Sequence, residues 1–137
     1  IDCFNGITVF SGLHVQGESV QGEVIADMGS VKCLLSLLEE KKENVDYRAF
    51  FEAVAKIWRE VTTWETEYYV LMMDPHPMRY LRVNAGLQQF PQFHETYGIK
   101  EGDGMWLAPE DRILGWNHVK AGQIHEEVHS VRIGPLP

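Results

Sequence analysis

Two stretches of the chain repeat apolar residues at three- and four-residue steps, the spacing that places side chains on one face of a helix. The first runs from Glu23 to about Lys42 and includes Val24, Met28, Val31, Leu35 and Leu38. The second begins at Asp46, a residue type favoured at helix N-caps, and continues to Met72. Because no glycine or proline interrupts residues 45 to 74, this pattern predicts one long helix of about seven turns.

The remaining segments are shorter. Four glycines between residues 6 and 22 separate β-prone pieces, which predicts a short extended or irregular N-terminal lead-in, with a hairpin as one possible form. The two prolines of residues 74–77 predict a rigid turn. We expect a short helix over 85–97 that ends at Gly98, a helical turn or two after Pro109, and a polar tail over 117–137. The sequence therefore predicts a mainly α protein in which residues 1–137 form a single domain.

Composition limits the function classes. With 137 residues, 45% hydrophobic and 23% charged, the chain has the balance of one globular domain. A formal charge of -8 without a Lys/Arg block disfavours nucleic acid as a partner. No apolar run approaches the roughly 20 residues that span a bilayer, so no membrane contact is predicted within the chain. Since the first residue is Ile1 rather than Met, we expect further sequence upstream.

The two cysteines, Cys3 and Cys33, are too few for a disulfide framework. We interpret them as free thiols, with Cys33 in a helix core. Few cysteines and an acidic charge fit a cytoplasmic bacterial protein, although an upstream leader or anchor would change that assignment.

The first candidate for chemistry is a pair of acids in the first predicted helix. Glu23 and Asp27 are four residues apart, so their carboxylates share a helix face. Zinc accepts a carboxylate ligand, and a second carboxylate can orient a histidine ligand. Acids in a first helical turn also complement the helix dipole, and the spacing alone favours that simpler interpretation.

Longer motifs extend the picture. Glu23-Val24-Ile25-Ala26-Asp27 and its lead-in, residues 12–17, resemble the Glu-Asn-x-Ala-Asp signature of the neprilysin-like (M13) family of zinc metallopeptidases. Further blocks resemble that family's C-terminal blocks in the same order. They are Asp74-Pro75-His76-Pro77, Leu81-Arg82-Val83-Asn84, Phe90-Pro91-Gln92-Phe93, Tyr97-Gly98-Ile99-Lys100 and Met105 to Arg112. The resemblance covers residues 12 to 116.

The resemblance implies the C-terminal helical subdomain of a zincin-like metallopeptidase that hydrolyses peptides. In it Glu23 would be the third Zn²⁺ ligand, and Asp27 would hold a histidine ligand. His76 would donate to the developing oxyanion, and Arg82 would bind a substrate carbonyl. The two histidine ligands and the water-activating glutamate lie on a His-Glu-x-x-His helix that belongs upstream, in the N-terminal remainder of the parent protein. The isolated fragment is therefore expected to be inactive.

Alternatives remain open. Val24 replaces the family's usual asparagine and Ser30 a usual glycine, which leaves a non-catalytic binding module of the same fold as one alternative. An independent helical interaction domain is another, with any metal chemistry in the tail. In that tail, His125-Glu126-Glu127-Val128-His129 matches the His-Glu-x-x-His sequence, but it lies downstream of Glu23 rather than upstream and has no apolar helix face.

Several of the singled-out side chains also have ordinary interpretations. His76 would cap a turn, and Arg82 would pair with a surface acid such as Asp74 or Glu95. A further set of aromatic residues is interpreted as core packing rather than a peptide groove, because it follows the helical period: Phe50, Phe51, Trp58, Trp64 and Tyr68.

Overall fold

The structure is a computed structural model that describes residues 1–41 and 44–113. Its α-helices are α1 (Asp2–Asn5), α2 (Gly17–Glu40), α3 (Tyr47–Ile57), α4 (Trp64–Met73), α5 (Arg79–Leu87) and α6 (Pro91–Tyr97). Two 3-10 turns cover Phe10–Gly12 and Pro109–Asp111. The mainly α class is confirmed, and none of these helices is long and apolar enough to cross a membrane.

The N-terminal lead-in is irregular, with one antiparallel bridge between Thr8 and His14. It ends earlier than predicted, because α2 begins at Gly17 rather than near Glu23. The Gly17 amide donates to Asn5 Oδ1 at 2.7 Å, and a Cβ at Gly17 would collide with the Ile1 carbonyl oxygen. This close approach explains the glycine at the start of α2. Glu23 consequently lies in the second turn, beyond the strongest part of the helix dipole.

The prediction of one long helix over residues 46–74 is wrong. α3 ends at Ile57 and α4 begins at Trp64, with no regular helix between them. The intervening Val61, Thr62 and Thr63 are β-branched, which lowers their helix propensity. Thr63 also caps α4, since its hydroxyl accepts from the Thr66 amide at 3.3 Å. The N-cap prediction for Asp46 is confirmed by its bond from the Ala49 amide.

The prediction of a single short helix over 85–97 is also wrong. Arg79–Leu87 and Pro91–Tyr97 are separate helices, and Pro91 occupies the first turn of the second. The predicted end at Gly98 is confirmed, because this glycine adopts the left-handed conformation, with φ of 64°.

The core lies between α2 and the helices that follow it. α2 packs against α5, and α3 packs against both α5 and α6. Phe51 is fully buried and meets Phe93 edge to face at 5.3 Å, which anchors α3 on α6. The largest fully buried side chains in this core are Phe51, Leu35 and Met78.

Two core assignments need correction. Cys33 is a free thiol but is exposed rather than in a helix core, because it lies on the outer face of α2. Of the aromatic set assigned to the core, Phe51 is buried, but Trp64 and Tyr68 are exposed and stack on each other at 5.3 Å. Because the break between α3 and α4 turns the second half of the stripe in a new direction, one helix face does not bury them all.

Candidate functional site

The structure brings the four predicted site residues together from three parts of the chain. Glu23 and Asp27 lie one turn apart on α2. His76 lies in the turn between α4 and α5, and Arg82 lies on α5. The convergence follows from the packing of α5 on α2, which faces Arg82 toward the two acids.

Arg82 and Asp27 make the shortest contacts among these four residues. Arg82 Nε lies 2.6 Å from Asp27 Oδ2, and Arg82 Nη2 lies 2.6 Å from Asp27 Oδ1. Only 10% of the Arg82 side chain and 20% of the Asp27 side chain are exposed. A bidentate pair of this kind fixes the plane of the guanidinium as well as its position. Arg82 thus pairs with Asp27 and not with the surface acids considered from the sequence.

Glu23 makes longer contacts. Its Oε2 lies 3.4 Å from His76 Nε2 and 3.6 Å from Arg82 Nη2. These are ion-pair distances, longer than those of strong charge-assisted hydrogen bonds. The carboxylate is 38% exposed, so its oxygens face two cationic or donor groups yet keep free lone pairs.

His76 is oriented by Asp74, two residues before it. Asp74 Oδ1 accepts from the His76 amide at 2.8 Å and lies 2.6 Å from His76 Nδ1. The amide hydrogen bond, followed by the imidazole contact, holds the pKa of the Asp74 carboxyl below its usual range. Since one carboxylate oxygen binds both groups, the imidazole is held with Nε2 toward Glu23.

A groove of about 280 Å³ lies beside these residues, lined by Thr66, Val70, Asp74, His76 and Arg82 among others. Glu67 also lines it. Burial, and then repulsion from the Glu60 carboxylate, raise the pKa of Glu67. The lining of the groove therefore includes both hydrogen-bond donors and an ionisable carboxyl.

Sequence reasoning did not assign two residues that contact the cluster. Asp74 orients His76, and the Asp-x-His spacing was an available signal for this contact. Trp58 lies against Arg82, with the Arg82 guanidinium carbon 3.8 Å from the centroid of the Trp58 ring. No spacing in the sequence indicates that contact.

A complete metal site is not formed by residues 1–41 and 44–113, where no group of three His, Cys, Asp or Glu side chains is arranged to hold a metal. The motif from His125 to His129 lies outside the described residues.

Comparisons with known proteins agree on one family. The model of peptidase family M13 matches residues 1–113. Neutral endopeptidase from Lactococcus lactis subsp. lactis (strain IL1403) is 36% identical over 116 residues, covering 85% of this chain and 18% of that protein. Neutral endopeptidase from Lactobacillus helveticus is 34% identical over 116 residues, with the same coverage. Neprilysin-1 from Caenorhabditis elegans is 29% identical over 118 residues, covering 76% of this chain and 15% of that protein.

The chain therefore spans less than a fifth of the length of these relatives. No solved structure matches it.

Proposed function

This chain belongs to peptidase family M13, and we propose that it is the C-terminal part of the catalytic domain of a zinc-dependent endopeptidase. The N-terminal remainder of that parent protein supplies the rest of the metal site, and the substrate is a peptide. One observation carries the proposal. His76 Nε2 and Arg82 Nη2, from two other segments of the chain, lie 3.4 and 3.6 Å from the same carboxylate oxygen, Oε2 of Glu23.

The chemistry of the donors fits zinc. Glu23 is half-exposed and makes no short hydrogen bond among the described residues, so its oxygens are available to a metal. Both Asp27 oxygens bind Arg82 but keep further lone pairs, which can hold an incoming histidine ligand. One carboxylate does not make a zinc site, and the two histidine ligands are assigned to the remainder of the parent. Zinc, when bound, polarises the scissile carbonyl and lowers the pKa of a bound water.

His76 and Arg82 act on the substrate. In its doubly protonated form His76 donates from Nδ1 to Asp74 and presents Nε2–H toward the Glu23 side of the cluster. A fixed donor there stabilises negative charge as it develops on the substrate carbonyl oxygen. Arg82 uses Nε and Nη2 for Asp27, which leaves the two N–H groups of Nη1 for a peptide carbonyl of the substrate.

The alternative is a non-catalytic binding module, for which Val24 was the main argument. Val24 is buried in the core, on a face of α2 next to the one that carries the site acids. The valine therefore contributes to packing and removes no group from the Glu23, His76 and Arg82 cluster. This position leaves the catalytic proposal as the better supported one.

The test uses the full-length parent and two matched variants. Glu23→Gln removes a charged ligand, so bound zinc should fall below stoichiometric and peptide hydrolysis should be lost. His76→Ala should retain zinc and lower kcat about 100-fold or more, the size of effect seen when an oxyanion donor is removed. Zinc by metal analysis and hydrolysis of a fluorogenic peptide measure both.

Full zinc content and activity in Glu23→Gln would refute the ligand assignment. For His76→Ala, a higher KM with unchanged kcat would instead assign the histidine to ground-state binding.

A further inference from the structure

Trp58 occupies the point at which the predicted long helix breaks. It is the C-cap of α3, with φ of -96° and ψ of 6°, and it is half-buried. The Arg82 guanidinium carbon lies 3.8 Å from the centroid of its ring, well within cation–π range. The indole thus contacts the same guanidinium that binds Asp27, from a different element of the fold.

Asp27 and Trp58 restrain Arg82 in complementary ways. The two hydrogen bonds to Asp27 lie at the edge of the guanidinium and fix its position along that edge. They leave one motion weakly restrained, a rotation of the guanidinium plane about the line through its two bonded nitrogen atoms, Nε and Nη2. An aromatic ring 3.8 Å from the guanidinium carbon blocks that rotation on its side. Together the carboxylate and the indole define where Nη1 points.

We propose that Trp58 is a positioning residue for Arg82, holding the guanidinium plane so that its Nη1 donors face the substrate. This inference rests on the proposed peptidase function. In this role Trp58 acts on the substrate through Arg82, so its effect should depend on the guanidinium.

The proposal predicts a pattern of kinetic effects in the parent enzyme. Trp58→Leu should lower kcat/KM about tenfold, the effect of losing a desolvated cation–π contact. Trp58→Phe keeps an aromatic face and should recover most of that loss, to within about threefold of the wild type. Trp64→Leu is the matched control, since Trp64 is exposed and stacks on Tyr68 rather than on an arginine; it should leave kcat/KM unchanged.

A double-mutant cycle separates positioning from general packing. If Trp58 acts through Arg82, then Trp58→Leu should cost less than about twofold in an Arg82→Lys background. The same tenfold loss in both backgrounds would overturn the proposal, because the indole would then act independently of the guanidinium.

The chain itself provides a readout that needs no activity. A proton above an indole face is shifted upfield, so the Arg82 Nε–H resonance should move downfield by NMR in Trp58→Leu, and not in Trp64→Leu. An unchanged Arg82 resonance in Trp58→Leu would refute the contact even in an active parent. Conversely, a shifted resonance together with an inactive wild-type parent would retain the contact and refute the peptidase function instead.

Discussion

The Asp27–Arg82 pair provides a quantitative test of the structure in the chain itself. Asp27→Asn changes little in shape but removes one negative charge. The remaining amide oxygen accepts one of the two Arg82 hydrogen bonds, while the new NH₂ group opposes the other. Because only 10% of the Arg82 side chain is exposed, the substitution leaves a mostly buried cation whose remaining acidic contact is the longer one to Glu23, at 3.6 Å.

The magnitude follows from the burial of the two partners. Removing one partner of a fully buried pair costs about 3–5 kcal/mol, whereas an exposed pair contributes roughly 0–1 kcal/mol. The Asp27 side chain is 20% exposed, so this pair lies nearer the buried limit. We expect Asp27→Asn to lower the free energy of unfolding by about 2–3 kcal/mol, and Tm by about 10 °C.

Urea unfolding of the purified chain measures this loss, and Glu52→Gln is the matched control. Glu52 pairs with Lys56 at 3.8 Å, and their side chains are 50% and 69% exposed, so that substitution should cost less than about 0.5 kcal/mol. A loss in Asp27→Asn no larger than that of the control would refute the bidentate geometry. Arg82→Met combined with Asp27→Asn should recover part of the loss, because no charge is then left buried.

Two further predictions concern ionisable groups near the groove. Burial and the Glu60 carboxylate raise the pKa of Glu67, so the folded state binds the proton of this carboxyl more tightly than the unfolded state does. The free energy of unfolding therefore falls as pH rises through the raised pKa. Glu67→Gln should stabilise the chain at pH 7 and give no gain below about pH 4, as measured by urea unfolding. The lowered pKa of Asp74 has the opposite sign, so its stabilisation is present above about pH 4 and is lost as pH falls through the lowered value. Asp74→Asn should flatten stability over that acid range, and an unchanged acid slope would contradict the contact with His76.

The helix boundaries show where sequence reasoning worked and where it failed. Asp46 and Gly98 were predicted correctly because capping depends on local chemistry. The break after Ile57 was missed because neither glycine nor proline marks it. Its local signal was weaker, namely Thr63 as an N-cap followed by acids in the first turn of α4. A tertiary contact also forms at this point, since Trp58 lies against Arg82, 24 residues later in the chain.

The candidate site was found by a different route. Spacing alone favoured helix-dipole complementation for Glu23 and Asp27, and only the order of the downstream blocks indicated a peptidase site. The start of α2 at Gly17 now weakens the dipole interpretation, because both acids lie beyond the first turn. The contact of Trp58 with Arg82 required the folded chain, since periodicity assigns residues to faces but does not identify their partners.

The two acids on α2 lie one turn apart but differ in exposure and in the lengths of their contacts. Asp27 is largely buried and both its oxygens bind Arg82, so it joins α2 to α5. Glu23, one turn earlier, is more exposed, and its nearest contacts are at 3.4 and 3.6 Å. Because Arg82 makes its two short hydrogen bonds to Asp27, Glu23 has only a longer contact with this cation. The register of α5 against α2 thus makes Glu23 the more accessible of the two acids, in agreement with the ligand role proposed for it.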